Sequence, residues 1–351
     1  MQRGAVKSLS IWANTSPCAH ICRFCQIGDR AAKRFPLERW RAQVERFRNW
    51  QQQSGADLII DHGWPGPAYN FSLDDYVGLE DWLGERFTVI PLGGVKMRKP
   101  GAMREWLRAR QARGLERVHG AFVGLADSHD AWVGRRGNFR FLLDTFRVAS
   151  DIGMSYSVTL YLTRSTLSFL DALAEAFEAL PNPPAYRHVR HFYYGGYAAQ
   201  QEAERLTASD LPRIPPWAMA SFREHFDIRT ESDWMSEVAR EKDLPVDVHL
   251  SVELTKDNIG RFEALSCDDI YQDLESRAIA DLGKLPSLEN LAREFARDES
   301  PRLYARFEVA RLWVDRYLEK HPMDFDRSLL HEHIGLRDVA PPLLMAGRNE
   351  C

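Results

Sequence analysis

Apolar and polar positions along the first 200 residues alternate between two periods, one typical of strands and one typical of helices. Short apolar runs bounded by turn residues predict buried strands, and longer stretches with apolar residues three or four apart predict helices. The predicted strands are 7–14, 57–61, 87–92, 118–125, 155–163 and 189–194. The predicted helices are 36–55, 73–85, 100–113, 138–152 and 166–180. Because alternating strands and helices form parallel βαβ units with right-handed crossovers, we predict an α/β fold, a partial (β/α)6 TIM-like barrel.

The pattern changes after residue 200. Residues 200–245 contain several prolines and aromatic residues and predict an irregular connection, 246–254 predicts one further strand, and apolar positions after residue 285 recur at helical spacing. We therefore expect residues 1–200 to form the barrel core and residues 201–351 to form a mostly helical C-terminal extension. Since a six-unit barrel does not close fully, the extension is expected to cover it and to exclude water.

The composition is that of an ordinary globular protein. The chain has 351 residues, of which 44% are hydrophobic and 27% charged, and its formal net charge is −4. This charge gives no electrostatic basis for nucleic-acid binding, and no stretch approaches the roughly 20 apolar residues that a membrane helix needs. Residues 1–7 lack the apolar core of a secretory signal. We expect a cytoplasmic protein with no membrane association and no evident nucleic-acid partner.

Three of the five cysteines lie close together, in the segment Thr15-Ser16-Pro17-Cys18-Ala19-His20-Ile21-Cys22-Arg23-Phe24-Cys25. Three thiolates without a fourth nearby cysteine suit a four-iron cluster in which one iron is open to a non-protein ligand. Two other interpretations stay open. His20 could complete a structural zinc site, although zinc ligands normally come as two pairs on separate turns. The thiols could also be inert and buried, although core packing gives no reason for this spacing.

The CxxxCxxC spacing, with Phe24 just before the last cysteine, resembles the signature of the radical S-adenosylmethionine (radical SAM) superfamily. The resemblance implies that Cys18, Cys22 and Cys25 bind a [4Fe-4S] cluster whose open iron binds S-adenosylmethionine, with Phe24 against the adenine. It also implies an electron donor such as flavodoxin or ferredoxin, and an enzyme that cleaves S-adenosylmethionine to a 5′-deoxyadenosyl radical, which abstracts hydrogen from its substrate. The alternative is a non-enzymatic iron-sulfur or structural zinc-binding protein.

Loops at the carboxyl ends of the strands supply further candidate residues, because the chemistry of such barrels lies there. The expected cofactor-binding residues are Phe24, His62, Gly63, Asp127, Ser128, Tyr161 and Tyr194. Glycines 93–94 and 195–196 lie in equivalent turns, where glycine permits close approach of a ligand or simply forms the turn. The superfamily usually has a Gly-Gly-Glu turn after strand two, whereas this chain has His62-Gly63-Trp64-Pro65. We expect this turn, or Asp61, to bind the amino group of S-adenosylmethionine.

A second resemblance concerns residues 129–139, which are similar to the turn after strand four in the radical SAM branch that modifies peptides and related substrates. It implies a peptide or small-molecule substrate. Beyond the motif the chain has only Cys267 and Cys351, too few for a second four-cysteine cluster. Cys267 could donate a hydrogen atom to a substrate radical or be a buried core residue. His188 and His191 could line the barrel interior, and no side chain is assigned a catalytic role.

Overall fold

The computed structural model describes residues 3–16, 18–25, 35–62, 70–225, 227–240, 246–297 and 299–325. Within these ranges the strands are β1 (Arg3–Ala13), β2 (Ile59–Asp61), β3 (Val89–Pro91), β4 (Arg117–Phe122), β5 (Ser155–Leu162), β6 (Arg187–His191), β7 (Ile228–Arg229), β8 (Val246–Leu254) and β9 (Tyr304–Ala305). The helices are α1 (Leu37–Ser54), α2 (Leu73–Leu83), α3 (Pro100–Gln111), α4 (Ala126–Val133), α5 (Asn138–Asp151), α6 (Leu170–Glu178), α7 (Pro216–His225), α8 (Glu231–Val238), α9 (Ile259–Ala264), α10 (Cys267–Lys284), α11 (Leu288–Phe295) and α12 (Arg306–Lys320). The chain divides into two units, whose described residues fall in 3–15, 35–62 and 228–325 for the first and in 16–25 and 70–227 for the second.

The first unit contains a parallel sheet of three strands in the order β2-β1-β8. The central strand β1 pairs through Leu9 with Ile60 of β2 and with Leu250 of β8. Helix α1 is fixed to this sheet because the indole N–H of Trp40 donates to the Ile11 carbonyl at 3.0 Å. Strand β8 agrees with the predicted strand at 246–254, so the part of the chain beyond residue 200 adds a strand to this sheet as well as helices.

The remaining helices of the first unit are joined by buried polar contacts. Glu231 of α8 is fully buried and accepts hydrogen bonds from Arg316 at 3.0 Å and from the indole of Trp313 at 3.2 Å, both on α12. Cys267, the first residue of α10, is also buried, and its thiol donates to the Arg46 carbonyl at 3.9 Å. Burial raises the pKa of this thiol, which places Cys267 among the core residues of the first unit.

The second unit contains a parallel sheet of four strands in the order β3-β4-β5-β6. The side chains of β4 alternate between buried and half-buried, as expected for a strand with one face against helices. On the helical side, the ring of Phe122 lies 6.0 Å from Phe146 of α5 and 5.0 Å from Phe177 of α6. Tyr156 of β5 stacks on Phe146 at 4.4 Å. Aromatic packing therefore fixes one face of the sheet and leaves the other face for different side chains.

The structure differs from the sequence-based expectation in three places. Residues 129–133, expected as the first part of a turn over 129–139, belong to helix α4, because Asp127 and Ser128 suit a first helical turn and Gly134 ends the helix in the left-handed conformation at φ 65°. Strand β6 ends at His191, three residues before the predicted end at Tyr194. The seven parallel strands are divided between two sheets, so the six-unit barrel stays a prediction. None of the described helices is long and apolar enough to cross a membrane.

Candidate functional site

Residues 18–25, the cysteine loop, are held by backbone hydrogen bonds to helix α4. The N–H groups of Ile21 and Arg23 donate to the carbonyls of Val133 and Trp132, at 3.1 and 2.9 Å. Both acceptors lie in the last turn of α4, where carbonyl groups have no partner within the helix. The end of this helix therefore supplies an edge along which the cysteine loop lies.

Two further bonds hold the ends of the cysteine loop. Near its start, the N–H of Ala19 donates to the carbonyl of Gly94, in the turn after β3, at 3.1 Å. At its end, the carbonyl of Cys25 accepts from the N–H of Tyr197, after β6, at 2.8 Å. Since α4 follows β4, the cysteine loop lies across the carboxyl ends of β3, β4 and β6. This is the edge of the sheet at which the sequence analysis predicts the cofactor-binding residues.

Gly94 leaves the space that the Cys18 sulfur occupies. Its φ of 81° lies in the left-handed region, and a Cβ atom at this position would overlap Cys18 Sγ. The turn is fixed by Asn70, whose side-chain amide donates to the Gly94 carbonyl at 2.7 Å. Gly134 has a similar role, because its φ is 65° and a Cβ would lie 2.6 Å from the Ile21 carbonyl oxygen. Both positions require glycine for the cysteine loop to keep its path.

The thiols of Cys18, Cys22 and Cys25 are all half-buried. Among the described residues of the second unit they are the only cysteines. Arg135 lies near them: its guanidinium donates to the Val95 carbonyl, burial lowers its pKa, and the charge of the Cys18 thiolate opposes that shift. Three thiolates of one loop, with room for the Cys18 sulfur and a cation beside it, fit a four-iron cluster that has one open iron.

His20 lies between the cysteines in sequence and belongs to a buried chain of polar side chains. Its Nε2 lies 3.0 Å from Asn138 Oδ1, and Asn138 Nδ2 lies 2.9 Å from Nε2 of His129. At the two ends, the N–H groups of Gly94 and Val123 donate to Nδ1 of His20 and of His129, both at 3.2 Å. Asn138, on α5, therefore connects the cysteine loop to the helix that follows β4.

His20 and His129 are both neutral at pH 7. Burial, and then the charge of Arg135, lower the pKa of His20 to about 4, and the hydrogen bond that His20 donates to Asn138 opposes this shift. Burial also lowers the pKa of His129 to about 4, against the charge of Asp130. Both ring nitrogens of His20 are engaged by Asn138 and Gly94, so binding of zinc by His20 would require one of these contacts to break. Among the described residues, no group of three His, Cys, Asp or Glu side chains is placed to hold a single metal ion.

Two predicted cofactor-binding residues meet at the cysteine loop. The ring of Phe24 lies 5.0 Å from the ring of Tyr161, on β5, and 6.4 Å from Trp132 of α4. Burial raises the pKa of Tyr161, the charge of Arg190 lowers it, and the Cys22 and Cys25 thiolates raise it. The ring of Tyr161 therefore lies beside Phe24 of the cysteine loop.

The other predicted site residues have different positions. Asp127 and Ser128 lie in the first turn of α4, with Asp127 exposed and Ser128 half-buried, and buried Tyr194 lies in the loop after β6. His62 follows β2 in the first unit, where its ring packs edge-on against Trp40 at 6.4 Å. Asp61 accepts from the hydroxyl of Ser10 at 3.5 Å. Gly63, with Trp64 and Pro65, lies outside the described residues, as does Cys351.

Sequence reasoning missed Asn138, His129 and Arg135 as residues of this site. One signal was present, because all three lie within residues 129–139, the segment that resembles the turn after strand four. The resemblance indicated that the segment matters but not what it contacts. The contact is with His20, 118 positions from Asn138 in sequence, and no periodicity links two such positions.

No protein-family model matches this chain, and no curated protein sequence matches it significantly. Solved structures that it resembles include Streptococcus suis SuiB bound to precursor peptide SuiA, with 13% identity and a TM-score of 0.49, over 87% of this chain and 76% of SuiB. SuiB bound to S-adenosylmethionine has 14% identity and a TM-score of 0.41, over 72% of this chain and 51% of SuiB. Native anSMEcpe with bound AdoMet and the Cp18Cys peptide has 11% identity and a TM-score of 0.36, over 53% and 51% of the two chains. The chain thus spans about half the length of two of these three structures.

Proposed function

We propose that this protein is a radical SAM enzyme that binds one [4Fe-4S] cluster through Cys18, Cys22 and Cys25 and cleaves S-adenosylmethionine reductively. The observation that carries the proposal is the cysteine loop itself, a CxxxCxxC segment held across the carboxyl ends of three parallel strands with Gly94 against the Cys18 sulfur. When bound, the cluster would supply the electron that cleaves the cofactor to methionine and a 5′-deoxyadenosyl radical.

The protein's own residues position and enclose the reactants. Phe24 and Tyr161 form an aromatic pair beside the thiols, suited to contact with the adenine of the cofactor. Asp127 and Ser128 on α4, and Tyr194 after β6, are proposed as further cofactor contacts. The turn formed by His62 and Gly63, with Asp61, is proposed to bind the amino group in place of the usual glutamate.

The proposal extends to architecture and surroundings. We propose that the parallel strands form a partial (β/α)6 barrel and that residues 201–351 cover it, because a carbon radical must be kept from water. The substrate is a peptide or a small molecule, and the electron donor is a flavodoxin or a ferredoxin. The protein would work in the cytoplasm, since thiolates and an iron-sulfur cluster require a reducing compartment.

Metal analysis of anaerobically prepared protein tests the cluster. We expect about four iron atoms per chain and no zinc in the wild type. Alanine at Cys18, Cys22 or Cys25 should remove most of the iron, because each thiolate would hold a different iron atom. Cys267→Ala is the matched control: it deletes a buried thiol of the first unit and should retain the wild-type iron content.

Stoichiometric zinc without iron would support the structural zinc alternative instead. Loss of iron in Cys267→Ala together with full retention in Cys18→Ala would also contradict the assignment, because the ligands would then lie elsewhere. Iron well above four atoms per chain would indicate a second cluster, which the cysteine inventory does not allow.

A further inference from the structure

The face of the four-stranded sheet opposite α5 carries four basic side chains, here called the basic face. They are Arg117 and His119 on β4 and His188 and Arg190 on β6. Their neighbours Val118 and Val189 are fully buried on the helical face, and the period of a strand places the basic residues on the other side. In the register of β5 and β6, Thr159 lies opposite His188 and Tyr161 lies opposite Arg190. Thr159 and Tyr161 of β5 therefore lie on the same face of the sheet as the basic residues.

His119 lies at the centre of the basic face and is held by two hydroxyl groups. Its Nδ1 lies 2.8 Å from Ser157 Oγ and its Nε2 lies 3.1 Å from Thr159 Oγ1. Burial lowers the pKa of His119 to about 3, and the charges of His188, Arg190 and Arg117 lower it further in that order. His119 is therefore neutral, and the permanent positive charges of this face are the two guanidinium groups.

These two guanidinium groups have no acidic partner among the residues that the structure describes. The Nε–H groups of Arg117 and Arg190 are buried and donate to no acceptor among the described residues, and the guanidinium of Arg117 lies over the ring of Tyr186 at 4.8 Å. Arg187, also on β6 but on the opposite side, differs in forming an ion pair with Glu178 at 3.8 Å. Arg117 and Arg190 are half-buried and carry positive charges that no acidic side chain of the described residues offsets, so the basic face can receive a negative charge from outside the protein.

The basic face is continuous with the cysteine loop. Arg190 lies opposite Tyr161 in the sheet, and the ring of Tyr161 lies 5.0 Å from Phe24, between the second and third cysteines. At the other end, Tyr186 is 52% exposed, so this end is open to solvent. A molecule held along this face would have one end beside the cysteine loop.

We infer that the basic face binds an anionic group of the substrate, a carboxylate or a phosphate, through the guanidinium group of Arg190. Arg117 lies six residues further along the sheet, opposite Ser155, and is a separate positive charge at the open end of the face. Guanidinium groups bind both anions through paired, charge-assisted hydrogen bonds. One of the Ser157 and Thr159 hydroxyls, the one that accepts the N–H of His119, keeps its own hydrogen for an additional bond. This assignment rests on the proposed function, because it takes the cysteine loop as the reactive end of the site. It narrows the substrate to an acidic peptide, a carboxylic acid or a phosphorylated metabolite.

Calorimetric titration of the full-length protein with inorganic phosphate and with acetate, at constant ionic strength, tests the inference. We expect saturable binding of at least one of the two anions, and the tighter of the two distinguishes a phosphate from a carboxylate. Arg190→Gln should weaken binding about tenfold or more, since it removes the charged donor, whereas Arg117→Gln removes a more distant charge and should weaken binding less. Arg108→Gln, an exposed arginine on α3, is the matched control and should bind like the wild type.

The inference is overturned if neither anion binds saturably or if Arg190→Gln binds as tightly as Arg108→Gln. It is also overturned if S-adenosylmethionine competes with the anion, because the site would then belong to the carboxylate of the cofactor. Should Arg190→Gln fail to fold, the wild type is labelled with the arginine reagent phenylglyoxal: bound anion must protect Arg190 and leave Arg108 reactive. Anion binding is measured without turnover. A chain that binds the anion but holds no iron would therefore contradict the proposed function and leave this inference standing.

Discussion

The cysteine loop and the basic face belong to the same unit, yet they differ in how their polar groups are paired. In the cysteine loop, backbone groups are bonded to the turns after three strands, and His20 is linked through Asn138 to His129. On the basic face, Arg117 and Arg190 keep buried Nε atoms without acceptors. A region whose polar groups are hydrogen-bonded within the protein is held in one conformation. A region with uncompensated positive charge can bind an anion from outside the protein. In the proposed function, the first region would hold the cofactor and the second would bind the substrate.

The largest effect expected from breaking the scaffold is at Gly94. Gly94→Ala would place a Cβ against Cys18 Sγ and would strain a backbone at φ 81°. We expect loss of most of the iron from the anaerobically prepared protein, measured as iron per chain. Gly93→Ala is the matched control, since a Cβ there meets no atom within 4 Å, and it should retain iron. Equal iron in the two variants would contradict the role given to Gly94.

The next largest effect is expected from breaking the buried hydrogen-bonded chain of His20, Asn138 and His129. Asn138→Leu leaves buried nitrogen atoms of His20 and His129 without their partner, which should lower the free energy of unfolding by about 2 to 5 kcal/mol. Urea unfolding followed by tryptophan fluorescence measures it. Asn182→Leu, at an exposed position, should change stability by less than about 0.5 kcal/mol. If Asn138→Leu also lowered the free energy of unfolding by less than about 0.5 kcal/mol, His20 and His129 would have found other hydrogen-bond partners.

A smaller effect follows from pH. His129 is neutral in the folded protein at pH 7, because burial lowers its pKa from the usual 6.5 to about 4. Between pH 6.5 and about 4 the unfolded chain therefore binds a proton that the folded chain does not, so stability falls as pH falls through this window. Between pH 6.5 and 5, the lowered pKa of His129 should reduce the free energy of unfolding by on the order of 2 kcal/mol. His129→Gln should show a shallower decline than the wild type in urea unfolding at these pH values, and an identical slope would contradict the assignment.

The smallest effect is electrostatic. Removing the positive charge near Cys18 with Arg135→Gln should make the cluster harder to reduce, because that charge favours the more negative reduced state. A change of about 1 kcal/mol corresponds to a midpoint potential on the order of 40 mV more negative for a one-electron couple. Redox titration followed by EPR measures it, with Arg136→Gln as the exposed control. A shift to more positive potential would contradict this role.

Local signals in the sequence predicted much of the fold. Helix α1 starts after Pro36 and ends at Gly55, whose φ is 67°, and both residues mark helix boundaries on physical grounds. The cysteine spacing indicated the position of the candidate site. Helix α4 was missed because Asp127 and Ser128 favour turns and helix starts equally.

The remaining features depend on contacts between residues far apart in the chain. Gly94 appears in the sequence as one turn glycine among several, and only the fold brings it to Cys18. The same holds for the basic face, since Arg117 and Arg190 share a side of the sheet only once β4, β5 and β6 pair in register. Which strand faces pack on helices is a property of the assembled sheet, and short strands carry too few alternating positions to specify it.

The central claim, that the cysteine loop holds a cluster that cleaves S-adenosylmethionine, is tested most directly by a single anaerobic assay. Purified protein is reduced with dithionite, incubated with S-adenosylmethionine, and analysed for 5′-deoxyadenosine and methionine, with Cys22→Ala treated identically. The account predicts that the wild type forms both products in equal amounts and that Cys22→Ala forms neither. Intact S-adenosylmethionine after incubation with an iron-loaded wild type, or equal product formation by the two proteins, would contradict it.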